Sequence, residues 1–255
     1  MNKTIHTMSS HSTFLSCCHI ILLLLASLIC AAKPALAKKV YSPNVEQGEL
    51  ELEYQGDVTV DGNPQKNGTS RHQFELSYGV TDRWHSAVYG IFTDMPKRKF
   101  RYSAFKWENI YQLFEPGTHW LDTGLYLEYL VPAASQNTTQ SLEFKLLLEK
   151  HAGSWLHTLN LEVAKQFGTS LRDTTFGYAW RSKWQMVRTF NPGFEAYGTI
   201  GPLRRFSPID QQSHLVGPVL YGNLTDSLKY EVGYLFGLTH GSVDGNVKFN
   251  LELAF

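Results

Sequence analysis

The chain has 255 residues, 23 Lys+Arg against 23 Asp+Glu, and 43 % hydrophobic and 13 % aromatic side chains. A balanced charge leaves no basic footprint, which argues against nucleic acid as a partner. All three cysteines (Cys17, Cys18, Cys30) fall near the N-terminus, so the rest of the chain has neither disulfides nor thiolate chemistry.

Residues 1–37 read as a secretory signal peptide. Lys3, His6 and His11 precede an apolar run from Phe14 to Ile29, and Pro34-Ala35-Leu36-Ala37 supplies an Ala-x-Ala cleavage site before Lys38-Lys39. The apolar run is shorter than the ~20 residues of a membrane-spanning helix. A lipoprotein site at Cys30 is excluded by the large Ile29 before it. Residues 38–255 then form one exported domain.

That domain keeps no 3.6-residue period over ten positions. It alternates apolar and polar residues in short runs, the pattern of half-buried strands. The first run, Gly48 to Gln55, sets Leu50, Leu52 and Tyr54 against Glu49, Glu51 and Glu53. The second, Arg71 to Val80, sets His72, Phe74, Leu76 and Tyr78 against Gln73, Glu75 and Ser77. A weakly patterned third (Trp84–Phe92) precedes a long aromatic fourth (Phe100–Phe114). The fifth opposes Leu125, Leu127 and Tyr129 to Asp122 and Glu128, and the sixth opposes Leu142, Phe144, Leu146 and Leu148 to Glu143, Lys145 and Glu149. Next come Trp155 to Phe167, then Thr175 to Met186 with Arg181 and Lys183 on the polar side. Phe194 to Gly201, His214 to Tyr221 and Leu228 to Leu238 follow; the closing strand alternates from Val247 to Phe255.

Twelve runs near ten residues predict an all-β, antiparallel up-and-down transmembrane barrel. Every second link is tight: 81–83, 115–118, 152–154, 191–193 and 224–227. The others (58–69, 132–140, 202–211) are longer and more polar. An aromatic follows each tight link (Trp84, Trp120, Trp155, Phe194, Tyr230), as in the girdle that such barrels place at the periplasmic boundary. In a soluble barrel the repeated charges on strands one, two, six and twelve would lose hydration inside the core. With lipid outside and water within, the same charges stay hydrated.

The ending Asn246-Val247-Lys248-Phe249-Asn250-Leu251-Glu252-Leu253-Ala254-Phe255 resembles the C-terminal assembly signal of Gram-negative outer-membrane barrels, with Leu253 and Phe255 as its two large apolar residues and Asn250 where glycine is usual. The export signal, Tyr41-Ser42-Pro43, the 78–84 turn and Gly233-Tyr234-Leu235-Phe236-Gly237-Leu238 are similar to an uncharacterised family of exported proteobacterial proteins and, more loosely, to outer-membrane barrels of the transporter type. The resemblance implies an outer-membrane location and recognition by the barrel-assembly machinery. It supplies no catalytic residues and no substrate.

Function is therefore sought in the lumen. Alternation places Glu49, Glu51, Glu53, Glu75, Asp122, Glu128, Glu143, Arg181, Lys183, Glu231, Lys248 and Glu252 inside. An acidic arc on strands one, two and twelve would face Arg181 and Lys183 across the bore, a field suited to a passive channel for small polar solutes. The alternative is that these groups pair and fill the lumen, as in a closed structural or adhesion barrel. A lipid hydrolase is the other alternative, resting on His240-Gly241-Ser242 with Asp244 nearby. The histidines of the domain stand singly, and neither a metal nor a cofactor is expected. Lys97, Arg98, Lys99 and Arg101, with Arg204 and Arg205, are expected in outer loops, where they would face the phosphates of lipopolysaccharide.

Overall fold

Strict alternation with a turn about every ten residues leaves sheet as the only way to satisfy the backbone, and the sheet has no unpaired edge. The computed structural model describes residues 38–96, 98–134, 139–167 and 174–255; the segment read as a signal peptide lies outside them. Its strands are β1 (Leu50–Val60), β2 (Ser70–Gly79), β3 (Trp84–Met95), β4 (Arg98–Gln112), β5 (Asp122–Pro132) and β6 (Ser141–Ala152). The second half holds β7 (Trp155–Gln166), β8 (Thr175–Trp184), β9 (Asn191–Pro202), β10 (Ser213–Asn223), β11 (Leu228–Gly237) and β12 (Gly245–Ala254). Each strand is antiparallel to its chain neighbours, and β1 closes on β12 from Glu51↔Ala254 to Val60↔Gly245. This is the expected closed, twelve-stranded, up-and-down barrel. Among the described residues a 3₁₀ turn, Ile209–Gln211, interrupts the longer link after β9.

The two faces of the wall differ as the alternation requires. Phe74 (52 %), Trp107 (44 %), Phe194 (53 %) and Phe236 (52 %) are exposed on the outside, whereas Lys248, Glu108, Glu195 and Asn160 are completely buried inside. Apolar side chains outward and ionised ones inward is the inverse of a soluble core.

Three local expectations are corrected. The tight link expected at 191–193 lies within β9; the turn is 185–190, closed by a Val187↔Phe190 bridge, and Asn191 Oδ1 accepts from Met186 N at 2.9 Å. Pro192 is tolerated because it stands near the start of its strand, opposite Leu220. The link at 115–118 extends to Leu121, since β5 begins at Asp122, so Trp120 sits in the link and not on a strand. Finally, Arg98 and Arg101 belong to β4 and not to a loop. There Arg101 stands between Phe100 and Tyr102, and the pairing of β3 with β4 continues to Met95↔Arg98. Lys97 and the side chains of Arg98 and Lys99 lie outside the described residues, as do 135–138 in the link after β5.

Candidate functional site

The inward residues assemble into ion-pair clusters joined by tyrosines. Lys248 donates to Glu195 Oε2 at 2.7 Å and pairs with Glu231, while the Tyr197 and Tyr221 hydroxyls donate to Glu195 at 2.7 and 2.8 Å. Lys106 pairs with Glu108 at 2.9 Å and Glu128 at 3.4 Å, and the Tyr126 hydroxyl lies between those two carboxylates. Lys145 pairs with Glu143 at 2.9 Å and Glu162 at 3.1 Å. Arg181 Nη2 reaches Thr158 Oγ1 at 3.1 Å and Glu149 Oε2 at 3.4 Å. Lys229 pairs with Glu252 and lies 3.7 Å from Glu51. Charges this deeply buried persist only when paired and hydrogen-bonded.

Residues 38–47, ahead of β1, run through the barrel. Lys39 pairs with Glu53 of β1 and lies 3.3 Å from Glu75 of β2. The Tyr41 N–H donates to Asn160 Oδ1 at 2.8 Å, and Asn160 Nδ2 donates back to Tyr41 O at 2.9 Å. Ser42 Oγ and Asn44 Nδ2 both donate to Glu149 at 3.1 Å, and Val45 N donates to Gln112 Oε1 at 2.8 Å. Successive side chains of an extended segment point to opposite sides. Accordingly, Val40 joins an apolar cluster with Ala179, Leu215, Val219 and Leu235, while Tyr41 joins one with Ile110, Tyr126 and Leu147. The segment thus bridges two opposed parts of the wall.

The wall makes room for it with glycine. A Cβ on Gly79 would meet Glu46 O at 1.8 Å, and one on Gly124 would meet Pro43 Cβ at 2.9 Å. Burial pushes the Tyr41 phenol up to about 12. For Lys39, burial works to lower the ammonium, but the Glu53 and Glu75 carboxylates outweigh it and hold the group well above its ordinary value.

A cavity remains on each side of the segment. Towards the longer loops one of about 170 Å³ is lined by Lys38, Tyr41, Arg71, Lys106 and Lys145. Towards the tight turns one of about 150 Å³ is lined by Arg181, Lys183, Tyr221, Lys229 and Glu252. Lys39 borders both.

The expected lumen residues occupy these clusters, with three exceptions, of which Lys183 lines the tight-turn cavity without an ion pair among the described residues. Asp122 accepts from Gly117 N at 2.6 Å and caps the tight link before β5; Glu49 lies just before β1 and is half-buried. The acidic arc of β1, β2 and β12 is interrupted by Lys39, Lys229 and Lys248, and Arg181 pairs locally with Glu149. Sequence reasoning left out Lys39, Tyr41, Lys106, Glu108, Asn160, Glu195 and Tyr197. Their signal was present for the strands: each stands at an inward position of β4, β7 or β9.

The barrel can now be set beside known proteins. No family model matches the chain, and the comparison with curated proteins finds no match. Among solved structures it resembles the crystal structure of the COG4313 outer membrane channel from Pseudomonas putida F1, at a TM-score of 0.53 and 12 % identity. The superposition covers 88 % of this chain and 98 % of that one. At this identity the likeness is one of fold, a closed barrel of the outer-membrane kind.

The remaining candidates lie at the two ends. Ser242 accepts from His214 N at 2.8 Å, donates to His214 O at 2.9 Å and contacts Thr239 Oγ1 at 2.8 Å. Asp244 Oδ2 accepts from Gly62 N at 2.6 Å. Both side chains therefore fasten the β11–β12 link to its neighbours. His240 is exposed and makes no hydrogen bond to Ser242 among the described residues. Trp84 (39 %), Trp120 (75 %), Trp155 (38 %) and Phe194 (53 %) are exposed near the tight turns; Tyr230 lies there too, with its hydroxyl on Thr189 O at 2.9 Å. Arg204 and Arg205 are exposed between β9 and β10. At the C-terminus, Phe255 N donates to Leu50 O at 2.9 Å and the ring is 68 % exposed.

Proposed function

We propose that the chain is an outer-membrane barrel acting as a passive channel for small polar solutes, with residues 38–47 lying across its bore as an internal plug. The observation that carries this reading is the pair of polar cavities separated by the single extended segment at Lys39–Tyr41. Displacing that segment would join them into one path lined by ion pairs. The likeness of its fold to the outer membrane channel of Pseudomonas putida supports the same reading. In this orientation the tight turns face the periplasm, with Trp84, Trp120, Trp155, Phe194 and Tyr230 at the lipid boundary. The exposed Arg204 and Arg205, with the basic start of β4, meet lipopolysaccharide phosphates. Leu253 and Phe255 are the part read by the assembly machinery.

Planar-bilayer recording of the purified protein tests the reading, with a variant lacking residues 38–45 as partner. The plugged channel should conduct weakly or in brief openings, and the deletion should conduct continuously. A deletion variant that inserts but carries no current would sink the channel. It would favour the second reading, a permanently closed structural barrel, which the filling of the bore by Val40 and Tyr41 supports. Hydrolysis has no such support, because Ser242 and Asp244 are engaged elsewhere.

A further inference from the structure

We infer that the cavity at the tight-turn end of the lumen is a binding site for a small carboxylate, held by Lys183 and Arg181. Three carboxylates border this cavity, and each is paired with a lysine that it shares with a second carboxylate (Glu75, Glu195 or Glu51). Glu53 is paired with Lys39, Glu231 with Lys248 and Glu252 with Lys229. Lys183 also lines the cavity but forms no ion pair among the described residues; its nearest recorded partner is the Tyr221 ring, 5.4 Å from Nζ.

Arg181 is only partly compensated. Its one carboxylate, Glu149, also accepts from Ser42, Asn44 and Thr158. The Arg181 Nε is buried with no hydrogen-bond partner, and its guanidinium lies 6.0 Å from the Tyr221 ring. Lys183 and Arg181 are two positions apart on β8 and so share its inward face. A carboxylate in the cavity would neutralise the Lys183 ammonium and lie beside the Arg181 guanidinium. The inward residues Asn191 and Asn223 border the same space and add neutral polar surface.

Size selects within the anions. A cavity of about 150 Å³ holds roughly five waters at ~30 Å³ each, the room needed by an acid of two to four carbons. Lys183 is the one cation of the lining with no ion-pair partner among the described residues, and carboxylates stand around it, which suits a singly charged acid better than a polyanion. This site does not require the bore to conduct.

The test is equilibrium binding of propionate to the full chain in detergent, observed on the ligand by NMR, with ethylammonium as the cationic counterpart and inorganic phosphate as a rival oxyanion. Propionate should bind and ethylammonium should not. Lys183→Met should weaken propionate about tenfold, and Lys183→Arg should stay within about threefold of the parent. Because Lys183 supports no ion pair, Lys183→Met should keep the heat-modifiable gel migration of a folded barrel. Absent propionate binding, undiminished binding by Lys183→Met, or tighter binding of phosphate would each overturn the site. Binding without bilayer current would keep the site and remove the channel, and current without binding would do the reverse.

Discussion

Asn160 holds the backbone of Tyr41 at both ends of one residue, accepting from its N–H at 2.8 Å and donating to its C=O at 2.9 Å. An amide side chain thus replaces the neighbouring strand that an extended segment inside a lumen does not have. The pairing is needed because buried backbone groups must be satisfied somewhere. Both residues are buried, Asn160 completely, so water cannot readily take over.

Asn160→Leu should therefore unseat the segment while leaving the wall closed. It strands one buried N–H and one buried C=O, each at a cost of ~1–3 kcal/mol. Hydrogen exchange read by mass spectrometry should show residues 39–45 exchanging at least tenfold faster, with β7 and β8 unchanged. Unaltered protection of 39–45 would mean that the Lys39 ion pairs and the hydrogen bonds to Glu149 and Gln112 hold the segment without Asn160.

Gly124→Val attacks the same segment from β5, two strands from Asn160 in the sheet. Any side chain there meets Pro43, whose Cβ would lie 2.9 Å from the new Cβ, and the barrel wall is less free to move than the segment. In bilayers the variant should spend more time open than the parent. Deleting residues 38–45 should then remove the difference between Gly124→Val and the parent. A persisting difference would place the effect in the wall itself.

The faces of the wall were legible in the sequence because their period is two and each side meets a different solvent. Val247 to Phe255 on one side and Lys248 to Glu252 on the other needed nothing beyond alternation. The inward charges of β4 were passed over because Phe105, Trp107 and Tyr111 dominate that run and Lys106 and Glu108 sit between them. Residues 38–47 were not legible at all. They show no period, contain Pro43, and find their partners at Gln112, Glu149 and Asn160, far along the chain. Which carboxylates Arg181 and Lys183 meet was not legible for a related reason. Alternation says inward, but only closure of the barrel says which carboxylate comes near.

The seat of Tyr41 should open in alkali. Its phenol is pushed up to about 12 from roughly 10 when free, so the seat favours the neutral form. That stabilisation is complete below the free value and is lost as pH rises from about 10 towards about 12. Lys39 is also raised, so its ion pair survives at least as far. Open time in bilayers should stay level from pH 8 to pH 9.5 and increase between pH 10 and pH 11.5. Tyr41→Phe should lack that alkaline rise, and a rise that persists in Tyr41→Phe would assign it to another group.

Lys248 makes the most buried of the ion pairs, fully enclosed with Glu195 and joined to Glu231. It also lies opposite Asp57 in the β1–β12 seam that closes the barrel. Lys248→Met keeps the length of the side chain but leaves Glu195 ionised and enclosed, a loss of ~3–5 kcal/mol for a pair broken on one side. The gel shift that marks a folded barrel should occur at a lower temperature in this variant. Adding Glu195→Gln removes the charge stranded on Glu195. Tyr197 and Tyr221 donate to different oxygens of that carboxylate, so in the amide one hydroxyl donates to the oxygen and the other turns to accept from the N–H. Glu231 keeps its unpaired charge, and the double variant should recover part of the loss. If the double variant were less stable than Lys248→Met, the carboxylate would be contributing through its tyrosine hydrogen bonds more than it costs unpaired, and the seam would depend on those bonds and not on the ion pair.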